Sequence, residues 1–205
     1  MLLAVSKGQN SKALRLAWQA GLCNFGENYL QEAMEKMAAL ADIDPCWHFI
    51  GPIQSNKTQV IAQHFSWVHS IERLKIARRL NQQRPENLPP LNVCIQVNID
   101  NETSKSGIDP AHCLELALAI NALPRLKLRG LMVIPRQRDR LSEQRQPYLQ
   151  TAKLLNSLKS SSAALNSLDT LSMGMSGDLS AAIAEGATIV RVGTAIFGPR
   201  TTTKP

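Results

Sequence analysis

Leu2-Leu3-Ala4-Val5-Ser6-Lys7 is the stretch that decides how this chain is read. It is a short apolar run whose only charge sits at its C-terminal end. If the run is a strand of a parallel α/β barrel, the lysine lies at the barrel mouth, where such folds place their chemistry. The rest of the chain agrees with that reading. Short runs rich in β-branched or aromatic residues, bounded by turn residues, predict strands over 2–7, 23–26, 46–51, 67–71, 91–99, 126–134, 169–174 and 188–193. Helical patterns fill the gaps, over 10–20, 28–41, 55–64, 72–83, 110–122, 142–159 and 177–185. The first of them ends at Gly21 and the fifth opens on Asp109-Pro110, which are good stop and start signals. Pro147 interrupts the sixth.

Strands alternating with helices at this spacing mean βαβ units on a parallel sheet, and eight strands are the number that closes a barrel. A doubly wound open sheet is the alternative, but it rarely needs eight strands in so short a chain. The 205 residues fit one domain over 1–205, a single TIM-type (β/α)8 barrel. Seven helices lie between the eight strands, and residues 199–205 are too few for another. The helical shell is therefore expected to be incomplete, or to lack an N-terminal helix, with apolar surface near the first or last strand.

Composition narrows the function. The charge of +7 is scattered, and its densest patch, Arg136 to Arg145, also holds Asp139 and Glu143 and carries no interleaved aromatics. It reads as a solvated face, not a nucleic-acid surface. Cys23, Cys46, Cys94 and Cys113 form no CxxC pair, which fits a reduced, cytoplasmic setting. His48, His64, His69 and His112 show no metal-ligand spacing. No apolar run is long enough for a bilayer, and the first residues lack the basic start and cleavage site of a signal peptide.

The motifs point to one chemistry. An amine in an apolar mouth becomes a nucleophile toward carbonyls, although a surface lysine ending a strand is the plainer alternative for Lys7. At the other end of the chain, Ser172-Met173-Gly174-Met175-Ser176-Gly177-Asp178 opens a helix, and Val192-Gly193-Thr194-Ala195-Ile196-Phe197-Gly198 follows a strand. In barrels, the loops after strands seven and eight commonly bind phosphate. Ser176 and Thr194 have hydroxyls to donate, and Gly177 and Gly193 let the backbone approach. Ordinary turns and caps are the alternative. Arg191, ionised inside the apolar strand 188–192, needs a partner: a carboxylate, or a pyridine nitrogen. Asn28 hydrogen-bonds a ligand oxygen or caps the next helix. His48, between Trp47 and Phe49, reads as a satisfied barrel-interior residue. Lys105 shares the face of Lys7, either solvated or as a second amine. An amine opposite a phosphate cradle suggests a phosphorylated aldehyde held as a Schiff base.

These residues carry a resemblance. Leu3-Ala4-Val5-Ser6-Lys7, Phe25-Gly26-Glu27-Asn28-Tyr29, Trp47-His48-Phe49-Ile50-Gly51 with Gln54-Ser55-Asn56-Lys57, Ser104-Lys105-Ser106-Gly107, Gly130-Leu131-Met132, Ser172-Met173-Gly174-Met175-Ser176 and Arg191-Val192-Gly193-Thr194 run nearly end to end. Together they resemble the pyridoxal phosphate homeostasis proteins. The resemblance implies a fold-type III barrel like the N-terminal domain of alanine racemase. It implies pyridoxal 5'-phosphate on Lys7, phosphate contacts from Ser176, Gly193 and Thr194, and Arg191 at the ring nitrogen. Members usually carry a helix of some thirty residues before the lysine strand, and the expectation is that it is missing here.

The expectation is a cytoplasmic, monomeric, non-catalytic carrier of pyridoxal phosphate, with apo-enzymes that use the cofactor as recipients and no nucleic acid or membrane partner. A racemase-like enzyme is the alternative. It would need an opposing tyrosine from a second domain, and the chain has only Tyr29 and Tyr148. A phosphosugar aldolase using Lys7 would need a nearby acid pair, and none is evident at the strand ends.

Overall fold

The computed structural model describes residues 1–102 and 105–198. Eight strands, β1 (Leu2–Val5), β2 (Asn24–Glu27), β3 (Cys46–Phe49), β4 (Trp67–Ile71), β5 (Leu91–Val97), β6 (Leu126–Val133), β7 (Thr170–Ser172) and β8 (Val190–Val192), form one sheet. Its order is β7-β6-β5-β4-β3-β2-β1-β8, with every pairing parallel. The helices are α1 (Ser11–Gln19), α2 (Leu30–Ala39), α3 (Thr58–His64), α4 (Leu74–Gln83), α5 (Cys113–Asn121), α6 (Leu141–Ser161), α7 (Leu179–Ala184) and α8 (Thr194–Phe197). This is the expected (β/α)8 barrel, with most strand ends trimmed by one or two residues, β2 shifted one residue onward and β4 as expected.

The seam between β7 and β8 is the weakest join. It has the single bridge Ser172↔Ile189, with the bonds Thr188 N–H to Leu171 O (3.0 Å), Ile189 N–H to Leu171 O (3.1 Å), Met173 N–H to Ile189 O (3.0 Å) and Arg191 N–H to Gly174 O (2.9 Å). Elsewhere each neighbouring pair forms a ladder, with register shifts only between Val68 and Ile71 and between Val93 and Cys94. The barrel is therefore nearly closed.

Period-two alternation divides each strand between two cores. Leu3, Ile50, Trp67, Cys94, Met132 and Ile189 form a small inner cluster, with Val5 and Cys46 against it. Ala4, Phe25, Trp47, Phe49, Val68, Val93, Ile95, Val133 and Leu171 face the other way, into the larger core shared with the helices. On β1, Leu3, Val5 and Lys7 thus face the barrel axis, while Ala4 and Ser6 face the shell.

Two helical expectations change. α6 runs unbroken through Pro147, which costs it one i→i−4 bond because proline has no N–H. The shell also has an eighth helix: α8 is a single turn folded from the segment read as a phosphate loop, and its Ile196 and Phe197 pack on the outer core. One turn covers little, and the outward-facing Leu2 remains 40% exposed. Residues 199–205 and Ser104 lie outside the described residues.

Candidate functional site

The C-terminal ends of the strands meet at a cavity of about 270 Å³. Lys7, Asn28, Ser176, Arg191, Gly193 and Thr194, singled out along nearly the whole chain, all line it. They come from the ends of β1, β2, β7 and β8. The cavity is graded in depth: Arg191 is buried, Lys7 and Asn28 are half-buried, and Ser176 and Thr194 are exposed at the rim.

Each wall has a local cause. The chain turns after β7 at Gly174, whose φ of +92° favours glycine and where a Cβ would lie 2.5 Å from Ala182 Cβ. Asp178 then ties the loop. Its Oδ1 accepts from Met175 N–H at 2.6 Å, and its own N–H donates to Met175 O at 3.1 Å, which leaves Ser176-Gly177 presented to the cavity. A Cβ on Gly177 would meet nothing within 4 Å, whereas one on Gly193 would crowd Val5 O at 3.1 Å. α8 starts at the cavity rim, and the first N–H groups of a helix have no intrahelical acceptor. Asn28 is held by a backbone contact so close that a Cβ on Gly51 would lie 2.1 Å from Asn28 O. The Oδ1 atom of Asn28 is buried and has no hydrogen-bond partner.

Arg191 does not pair with a carboxylate among the described residues. Its Nη1 donates to Ser172 O (2.5 Å) and Ser172 Oγ (3.0 Å), and its Nη2 donates to Val133 O (2.8 Å). Five N–H groups are available to a guanidinium and three bonds are made, so donors remain on a residue that lines the cavity. Burial pulls its pKa below the ordinary arginine value.

Behind Arg191 runs a polar chain that the sequence reading missed. Ser172 Oγ lies 2.7 Å from His69 Nδ1, His69 Nε2 lies 3.0 Å from His48 Nδ1, and His48 Nε2 lies 3.1 Å from Asn24 Oδ1. Because Asn24 Oδ1 can only accept, one arrangement with neutral imidazoles satisfies every member: His48 donates to the Asn24 carbonyl oxygen, His69 to His48, and the Ser172 hydroxyl to His69. Both imidazoles are then neutral. Burial depresses His48 to about 3 and His69 well below the ordinary histidine range. His48 is thus the satisfied interior residue expected of it. Lys105 stands on the same face as Lys7, but its ammonium is engaged by Glu102 (2.8 Å) and Ile134 O (3.4 Å) and is not on the cavity wall.

The family model described as "Alanine racemase, N-terminal domain" matches residues 2–201. The pyridoxal phosphate homeostasis protein of Pseudomonas aeruginosa is 58% identical over 199 residues, which span 97% of this chain and 84% of that protein. The protein of the same name from Escherichia coli K12 is 52% identical over 202 residues, 97% of this chain and 85% of its own. The chain belongs to the family of the pyridoxal phosphate homeostasis proteins. Its structure is also similar to that of PipY of Synechococcus elongatus, solved without PLP (TM-score 0.91, 39% identity, 97% of this chain and 92% of that one) and with PLP bound (TM-score 0.89, 38% identity, the same coverage). An alanine racemase of Clostridium difficile shares the fold at 13% identity (TM-score 0.75, 98% of this chain and 53% of that one). Among the described residues of this family member no helix is long and apolar enough to cross a membrane, and no group of three or more His, Cys, Asp or Glu could hold a metal.

Proposed function

We propose that this chain binds pyridoxal 5'-phosphate and serves its intracellular homeostasis as a carrier without turnover of its own. One observation carries the reading: a single cavity gathers an amine, a buried arginine without a carboxylate, an amide oxygen without a partner, and two backbone loops rimmed with hydroxyls. That set matches a flat, phosphorylated aldehyde. Lys7 would hold the aldehyde through its amine. Ser176, Gly193 and Thr194 would receive the phosphate at the open rim, where a dianion can stay partly hydrated. Arg191 would donate to the ring nitrogen, and Asn28 would offer its unpartnered amide oxygen to the ligand. When bound, the cofactor supplies an aldehyde and a conjugated ring.

Two features support a non-catalytic role. A permanently charged donor at the ring nitrogen keeps that nitrogen unprotonated and weakens the ring as an electron sink. Beyond Lys7, the described residues of the wall include no Tyr, His, Asp or Glu that could serve as a second acid or base. Tyr148 is buried in the shell, and Tyr29 is exposed outside the cavity. We further propose a cytoplasmic monomer that hands the cofactor to enzymes requiring it. The four unpaired cysteines suit that compartment.

The test is borohydride reduction of the pyridoxal phosphate complex, followed by peptide mass mapping. The pyridoxyl group is expected on Lys7, with loss of the visible absorbance band. An adduct found only on another lysine overturns the assignment. Proton exchange at Cα of alanine or serine, followed by NMR in deuterated water, is expected to be negligible. Turnover of about 1 per second or faster would make the protein an enzyme.

A further inference from the structure

Outside the cavity, on the shell side of β1, lies a buried cluster that the binding of a cofactor does not use. Lys36 of α2 is 5% exposed. Its ammonium has three donors, and three acceptors meet it: Ser6 O at 2.6 Å, Glu27 Oε1 at 2.7 Å and Glu32 Oε1 at 2.6 Å. Glu27 Oε1 also accepts from Ser6 Oγ at 2.6 Å, and Glu32 Oε1 accepts from Gly8 N–H at 2.5 Å.

The location of these contacts matters more than their number. The ladder between β1 and β2 ends at the Val5↔Gly26 pair and the bond from Ser6 N–H to Gly26 O (3.0 Å). Lys7 lies beyond it, so no sheet pairing fixes its backbone. The carbonyl of Ser6 and the N–H of Gly8 belong to the two peptide groups that flank Lys7, and both are gripped by the Lys36 cluster. The Cα of Lys7 is thereby held from both sides by groups that do not touch the cavity.

Stability alone does not account for such a cluster. A buried ion pair replaced by apolar residues of similar volume is often neutral or stabilising. Here one cation faces two carboxylates, Glu27 Oε2 is buried without a partner, and burial raises the Glu27 carboxyl above its ordinary range. What the arrangement secures is geometry.

We propose that Lys36, with Glu27 and Glu32, is a positioning group that fixes the backbone on both sides of Lys7 and so sets the reach of the Lys7 amine for the cofactor aldehyde. The proposal rests on the reading of Lys7 given above, and it deepens that reading.

The experiment compares two ligands. Pyridoxal 5'-phosphate reads the whole site; pyridoxine 5'-phosphate carries an alcohol in place of the aldehyde and reads only the phosphate and ring contacts. In the unaltered protein the aldehyde ligand is expected to bind more tightly and to give the visible band. If it does not, the Lys7 reading fails before any variant is made. In Lys36→Met, affinity for pyridoxal phosphate is expected to fall about tenfold or more, while affinity for pyridoxine phosphate stays within about twofold. Glu32→Ala removes the grip on Gly8 and one of the three acceptors of Lys36 while leaving those at Ser6 O and Glu27, at a half-exposed position that can refill with water, and is expected to show the same selective loss in smaller measure. Should Lys36→Met not fold, Glu32→Ala decides. Equal loss for both ligands, or loss for neither, overturns the proposal.

Discussion

The guanidinium of Arg191 donates to the hydroxyl of Ser172 at 3.0 Å, and this contact joins the cavity wall to the polar chain through the barrel interior. At the far end Asn24 Oδ1 can only accept, so with neutral imidazoles every proton of the chain points one way, toward Asn24. Ser172→Ala breaks the chain at its first link. His69 loses its donor in a fully buried site, so the variant is expected to lose roughly 1–3 kcal/mol of stability. Denaturant unfolding of the ligand-free protein measures it. An unchanged midpoint would mean that the two imidazoles are held by other contacts.

Arg191→Ala is expected to weaken pyridoxal phosphate binding about tenfold to a hundredfold, the effect of losing a charged donor worth roughly 1.5–3 kcal/mol. Catalytic turnover should not appear. Equilibrium titration is the measurement. Unaltered affinity would show that the guanidinium serves only the Ser172 and Val133 carbonyls.

Acid should destabilise the protein well above the carboxylate range. His48 and His69 are neutral when folded and protonate at about pH 6.5 when unfolded. Below that pH the unfolded chain binds more protons, so stability falls as pH falls. A depressed histidine contributes a loss of about 2 kcal/mol at pH 5. Glu27, with its raised carboxyl, acts in the opposite direction in the window above its ordinary value. Unfolding midpoints at pH 7.5 and pH 5 give the balance, which is expected to favour pH 7.5. Equal midpoints in His48→Phe and the unaltered chain across that interval would count against the neutral pair.

Two glycines beside the cavity should respond differently. Gly51→Ala forces a Cβ against the backbone of Asn28 and is expected to lower stability by roughly 1–3 kcal/mol, with cofactor affinity falling as Asn28 shifts. Gly177→Ala places its methyl in open space. Its melting temperature should hold while phosphate affinity drops. A stable Gly51→Ala variant with normal affinity would contradict the close packing seen there.

Much of this was legible in the chain because the signals are local. Strand runs, caps and the glycines after β7 and β8 place a lysine and two loops on one face without any knowledge of distant contacts. Six of the residues that line the cavity are legible from those signals and the family resemblance. The Ser172–His69–His48–Asn24 chain was not, because it depends on which strands are neighbours and on how deep each inward residue lies. Lys36 was hidden for a similar reason. On α2 it reads as an ordinary surface lysine; only the pairing of β1 with β2 brings Glu27 and Ser6 to the same shell face. α8 was missed because a glycine followed by a threonine reads equally as a loop and as a single helical turn.

The pairing of the first strand with the last has a consequence in time. Pairs from β1–β2 to β6–β7 join neighbours in sequence, and each can form as soon as its second strand is available. β1 must also pair with β8, through Leu2↔Val190, Leu3↔Arg191 and Ala4↔Val192. Closing so long a loop is slow. During synthesis the strand that carries Lys7 therefore has an open edge until nearly all of the chain has emerged. The lysine is made first, and its pocket is assembled last.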